Sequence, residues 1–149
     1  MKYKFLIIVI NIIFLANIVN SAEYNLEIFF TNKSDSMKLS ENLNYLHIQS
    51  TGVWKDSSGD YGNIVCYGRV LQDKKSGIFL DVYCEAVNQN QIKFWLRLLR
   101  DSSQRDAGIG SSEYINGEEK YTKFIGKKCI YASKVFGSNA IVNQKCKFN

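Results

Sequence analysis

Proline does not occur in this chain of 149 residues, histidine occurs once, and no two cysteines stand close together. Each absence removes a class of protein. Without proline there is no proline-rich linker, and with no low-complexity tract or repeat either, nothing divides the chain into modules. His47 is the single histidine, so any Ser-His-Asp triad or histidine-based acid and base pair must pass through it. It alternates with Leu43 and Tyr45 in LNYLHIQ, the setting of a structural or simply exposed side chain, and no Gly-x-Ser-x-Gly elbow supplies a nucleophile. Zinc ligands come in close pairs such as C-x-x-C, whereas Cys66, Cys84, Cys129 and Cys146 are separated by 18, 45 and 17 residues, which argues against a metal site. Gly108-Ile109-Gly110 lacks the GxGxxG spacing of a phosphate loop and reads as a turn or bulge; no other stretch calls for a cofactor.

Long apolar runs are confined to the start of the chain. In MKYKFLIIVINIIFLANIVNSAEYN, Lys2 and Lys4 precede an apolar run from Phe5 to Val19, and the small residues Ser21 and Ala22 follow. This is the layout of a cleaved secretory signal peptide over residues 1–22. The alternative is an uncleaved membrane anchor, weakened by Asn11 and Asn17 within the run and by the lack of a basic stop-transfer cluster after it. Residues 23–149 then form one domain with a single modest core and no further transmembrane segment, and the expected location is periplasmic or secreted. Without Lys2 and Lys4 the chain keeps 17 basic against 14 acidic residues, too small an excess to imply a polyanion partner.

An even count of cysteines in an exported chain implies disulfides. If Asp73–Gly77 (DKKSG) is the turn of an antiparallel hairpin, Lys75 is its centre and also the midpoint of Cys66 and Cys84. That register puts Ile64, Cys66, Gly68 and Val70 on one face with Leu80, Val82, Cys84 and Ala86, and pairs Arg69 with Asp81 and Tyr67 with Tyr83 on the other. The midpoint of Cys129 and Cys146 likewise falls between Gly137 and Ser138, inside the turn-like FGSN. Directly opposed strand residues lie about 4.5 or 5.5 Å apart at Cα, within reach of a disulfide. The expected pairs are therefore Cys66–Cys84 and Cys129–Cys146.

Elsewhere, residues 24–30 and 43–49 read as strands, 31–42 as a polar loop or short helix, 51–62 as turns around Trp54, and 101–117 as a long polar loop holding at most one short strand. The second hairpin is placed over 121–148. QIKFWLRLLR reads as a strand with Ile92, Phe94, Leu96 and Leu98 on one side; helical spacing of Ile92, Trp95, Leu96 and Leu99 is the alternative. Short strands with turn signals between them predict an all-β fold, a small antiparallel barrel of about eight strands, because closure removes the exposed edges of a small sheet.

Candidate sites are sparse. Asp56 and Asp60 flank Ser57, Ser58 and Gly59, an arrangement that suits a turn better than a calcium loop or an acid and base pair. From Lys120 onward there are seven lysines and no acidic residue, so residues 23–119 carry a net charge of −4. The hairpin register gathers Lys128, Lys134, Lys145 and Lys147 on one face, with Lys128 opposite Lys147. Such a face suits an anionic glycan, a lipid headgroup or an acidic protein surface, and it also serves to block aggregation. No aromatic platform interleaves with the lysines, which argues against nucleic acid as a partner.

Two resemblances bear on the fold. Gly52-Val53-Trp54 resembles the Gly-x-Trp element near the start of lipocalin and avidin barrels, where the tryptophan closes one end. In GIGSSEYINGEEKYTKFIGKKC, Gly117, Lys120, Tyr121 and Gly126 resemble the Gly-Thr-Gly-Lys-aromatic and later Gly pattern of small barrels related to allene oxide cyclase and dirigent proteins, with Glu118 and Glu119 in place of Thr-Gly. The second resemblance implies an eight-stranded barrel with a central apolar cavity and no particular reaction. The expected function is a non-catalytic binding module, for a small apolar molecule inside the barrel, with Trp54 as a contact, or for an anionic partner at the lysine face. Rivals are an inhibitor of a secreted enzyme, presenting 51–62 or 101–117 as a projecting loop, and a cyclase-like barrel enzyme using His47, Asp56, Asp60 or Arg100. A wide apolar interior favours a carrier, converging polar groups an enzyme, and a filled core a surface interaction.

Overall fold

The two cysteine-centred hairpins form in the expected registers and are joined by four further strands into a closed ring. The computed structural model describes residues 22–148; the signal-peptide expectation for 1–22 therefore falls almost entirely outside the described residues. In chain order the strands are β1 (Ala22–Lys38), β2 (Leu43–Asp56), β3 (Tyr61–Asp73), β4 (Gly77–Asn88), β5 (Lys93–Ser102), β6 (Ala107–Gly117), β7 (Lys128–Phe136) and β8 (Asn139–Phe148), with a 3-10 helix at Glu119–Phe124 between β6 and β7. Each strand pairs antiparallel with the next and β8 returns to β1, so the barrel has no free edge.

In the first hairpin Cys66 opposes Cys84, Tyr67 opposes Tyr83 and Arg69 opposes Asp81. Its turn is held by the Asp73 carboxylate, which accepts hydrogen bonds from the backbone N–H groups of Lys75 (2.7 Å) and Ser76 (3.0 Å). In the second, Phe136 opposes Asn139 across Gly137 and Ser138, and Gly137 takes the positive φ of 61° that so short a turn demands. Disulfides join Cys66 to Cys84 and Cys129 to Cys146, with Cα–Cα separations of 4.0 and 4.6 Å. All four cysteines point inward and are buried.

Four segments differ from expectation. β1 runs on to Lys38, so 31–38 is strand and neither loop nor helix; its inward residues Asn32 and Ser34 are polar and give no apolar alternation. Residues 107–117 are a full strand, because the inward positions of β6 begin with Gly108, Gly110 and Ser112, again without an apolar signal. β2 extends through Trp54 to Asp56, leaving only 57–60 as turn, and β7 starts at Lys128 because 119–124 forms the 3-10 helix. The stretch 93–102 is strand, as its alternation predicts.

An eight-stranded barrel has an interior that side chains just fill or that holds one small ligand. Here the two outcomes share one barrel. At the end that carries the 3-10 helix, Tyr24, Trp54, Phe94, Tyr114, Tyr121 and Phe124 pack as a plug, with ring centroids 4.7 Å apart for Phe94–Tyr121, 4.8 Å for Tyr24–Phe124 and 4.9 Å for the edge-on Trp54–Phe94 pair. Toward the other end the inward residues shorten and the interior opens.

Candidate binding cavity

The open half encloses a cavity of about 190 Å³. Its walls are aliphatic: Leu46 and Ile48 from β2, Val70 from β3, Leu80 and Val82 from β4, and Val142 from β8. They share the inward face of the sheet with the buried cysteines: Leu46, Val70 and Leu80 stand in one cross-strand row, and Ile48 is two residues from Ser50, which opposes Cys66. The polar lining is mostly uncharged: Asn32, Ser34, Ser50, Gln72 and Ser133. Ser50 donates to the Asn32 side-chain carbonyl at 2.6 Å, tying β2 to β1.

Arg100 is the exception. It continues the inward series Phe94, Leu96, Leu98 of β5 and is 4% exposed. One terminal nitrogen donates to Ser133 Oγ at 2.6 Å and the other to the Arg105 carbonyl at 2.8 Å, while the buried Nε–H has no acceptor. Burial draws its pKa down from the ordinary arginine value, against the influence of Tyr131 and Asp106, but an arginine stays charged in a protein. The Gly108-Ile109-Gly110 stretch explains how the group fits. A Cβ at Gly108 would stand 3.2 Å from Arg100 Cδ, and one at Gly110 would run into the Tyr131 ring and stand 2.5 Å from the Leu99 carbonyl oxygen. The two glycines thus open a lane along β6 for Arg100 and Tyr131. Burial pushes the Tyr131 phenol up to about 12, with Arg100 acting in the opposite sense, so it stays a neutral hydroxyl.

The other candidates do not join Arg100. His47 is on the exposed outer face of β2, between Asp35 of β1 and Arg69 of β3. Asp56 and Asp60 lie at the plugged end. Asp56 accepts from the Ser58 N–H and hydroxyl and the Asp60 N–H, which makes it a turn residue, and also from the Tyr24 hydroxyl. Buried Asp60 accepts from the Tyr121 hydroxyl at 2.6 Å and Gln89 at 3.0 Å and is ion-paired with Lys120. The two carboxylates clamp the plug. Trp54, 2% exposed, is part of that plug, its indole N–H donating to the Asn63 carbonyl at 3.1 Å, and it does not line the cavity.

Lys128, Lys134, Lys145 and Lys147 share the exposed outer face of β7 and β8. Acidic residues from the flanking strands meet several of them: Lys145 is 3.1 Å from Glu23, which also stands opposite Lys147, and Glu113 stands opposite Lys128. The Lys145 hydrogen bond holds the Glu23 carboxyl below the usual range. The lysine face is therefore a ladder of mixed charge. Neither 51–62 nor 101–117 projects as a long loop, since only 57–60 and 103–106 lie between strands there.

Among the described residues no cluster of His, Cys, Asp and Glu is placed to hold a metal, and no helix is long and apolar enough to cross a membrane. The sequence reading missed Arg105, Gly108, Gly110, Tyr131 and Ser133 as parts of the site. The one signal available was Arg100 itself, a charge that continues the otherwise apolar inward series Phe94, Leu96, Leu98. No family model matches the sequence, and no curated protein or solved structure shows significant similarity to it.

Proposed function

We propose that this protein is an exported binding module that takes one small, largely apolar molecule into the open half of its barrel and carries out no chemistry on it. The observation that carries this reading is the division of the interior: an aromatic plug fills one half, and the other keeps an apolar-walled cavity of about 190 Å³. An apolar cavity of ~150 Å³ takes up benzene, so the volume is that of a ring or a short acyl chain. Export is supported by the signal-peptide layout of 1–22 and by two buried disulfides, which suit an oxidising compartment. Absence of catalysis is supported by the placement of His47 outside the barrel and of Asp56 and Asp60 at the plugged end.

Native mass spectrometry of the oxidised protein with octanol, an uncharged probe of suitable size, tests the reading. One octanol per chain is expected, with a rise in Tm because the ligand binds only the folded state. Val70→Phe, which puts a ring into the cavity, is expected to remove both effects. Absence of octanol binding, or binding that Val70→Phe leaves unchanged, would sink the proposal.

A further inference from the structure

We infer that Arg100 makes the cavity selective for an anionic head group, so that the ligand is a short amphiphilic carboxylate whose tail lies on the aliphatic wall and whose head meets the guanidinium. This rests on the cavity-binding reading above and narrows it to one chemical class.

Charge is the first argument. The cavity is lined by two cations, Arg100 and Arg105, and by no aspartate or glutamate. Arg100 is buried, yet no carboxylate among the described residues comes within 4.0 Å of it. Asp106 is the acid that acts on it electrostatically, from outside the lining and without an ion pair. Elsewhere the fold pairs its cations readily: Arg97 makes two hydrogen bonds, of 2.9 and 3.0 Å, to Asp81, and Lys120 meets Asp60. A lone buried cation lowers stability, and apolar residues commonly replace such groups without loss. Arg100 is thus a poor choice for stability alone and a good one for meeting an anion in a place with little water.

Geometry is the second argument. Ser133 Oγ and the Arg105 carbonyl each hold one terminal nitrogen and so fix the plane of the guanidinium. Five N–H donors meet two protein acceptors, which leaves donor capacity for the carboxylate that this group recognises best. The Gly108 lane keeps the Arg100 stem against β6, while Leu98 and Val82 continue the cavity wall beside it. The lining sets two cations and a few neutral polar side chains beside a larger aliphatic wall, which is the pattern of a site for an amphiphile.

Calorimetric titration of the full oxidised protein with octanoate, octanol and octylamine separates this inference from its premise. Octanoate is expected to bind at least ten-fold more tightly than octanol, and octylamine more weakly than both. Arg100→Met is expected to fold, with a Tm at or above that of the parent in the absence of ligand, and to bind octanoate no more tightly than octanol. Arg100→Lys should retain part of the parent's preference for octanoate, and Arg105→Met most of it. Equal affinity for octanoate and octanol in the parent protein overturns the inference and leaves the cavity reading standing; binding of none of the three overturns both. A preference for octanoate that survives Arg100→Met overturns the role given to Arg100. The parent comparison decides the matter even if a variant fails to fold.

Discussion

At Asp60 a single carboxylate links the turn after β2 to the 3-10 helix, and its ionisation should be legible in the stability of the protein. Burial by itself would raise its pKa, but hydrogen bonds from Lys120, Tyr121 and Gln89 outweigh that and hold the carboxyl below the usual range. A depressed folded-state pKa contributes stability above the unfolded value of about 3.9, and the contribution is lost as pH falls through the lower folded value. Acid unfolding should therefore steepen below about pH 4, and Asp60→Asn should flatten that limb when circular dichroism melts are compared across pH. Tyr121→Phe removes the 2.6 Å donor from the same carboxylate and is expected to lower stability by about 1–3 kcal/mol in urea unfolding. Gly110 offers a steric test. Alanine there meets both the Tyr131 ring and the backbone oxygen of Leu99, so overpacking of about 1–3 kcal/mol is expected, together with weaker octanol binding as Tyr131 shifts. Alanine at Gly108 meets side-chain atoms of Ser102 and Arg100 at 3.0 Å or more, and should be better tolerated.

Among the elements, the legible ones are those whose inward residues are apolar. The β3–β4 hairpin could be read to the register because its inward face is apolar over Ile64–Val70 and Leu80–Ala86, Arg69 pairs with Asp81 and Tyr67 with Tyr83 on the other face, and Asp73 marks the turn; β5 could be read from its inward Phe94, Leu96 and Leu98. The second half of β1 and the whole of β6 could not, because Asn32, Ser34, Gly108, Gly110 and Ser112 occupy their inward positions. These are the walls that border the cavity or make room for what lines it, so the property that hid the strands belongs to the site they build. The 3-10 helix was missed for another reason: its spacing signal is one pair, Tyr121 and Phe124, too short to stand out, and the packing of Tyr121 on Trp54 and Phe94 and of Phe124 on Tyr114 is what holds the turn. Each disulfide closes a short loop, of sequence separation 18 or 17, and each should contribute about 3 kcal/mol in the chain-entropy model. Replacing Cys66 and Cys84 together by alanine is expected to lower the urea midpoint accordingly, and because Cys66 also lines the cavity, to change octanol affinity as well. The Cys129/Cys146 double variant should lower stability to a similar degree.

Over the whole molecule, charge and cavity are arranged independently. The lysines that dominate the C-terminal sequence project outward from β7 and β8 and interleave with Glu23 and Glu113, whereas the charge inside the barrel comes from β5 and the turn that follows it. Counting charges finds the first group easily, since seven lysines fall within residues 120–149 with no acid among them, and does not single out the second, since Arg100 is one of four charged residues in β5. The closing of β8 onto β1 brings the two ends of the described barrel together, with Ala22 opposite Phe148 and Tyr24 opposite Cys146. Tyr24 belongs to the plug, so the start of β1 and the end of β8 lie side by side at the sealed face of the barrel. A peptide tag, a surface linkage or a fused partner attached through either end would then act as a stalk, turning the mouth of the cavity away from the point of attachment and toward the surrounding solution.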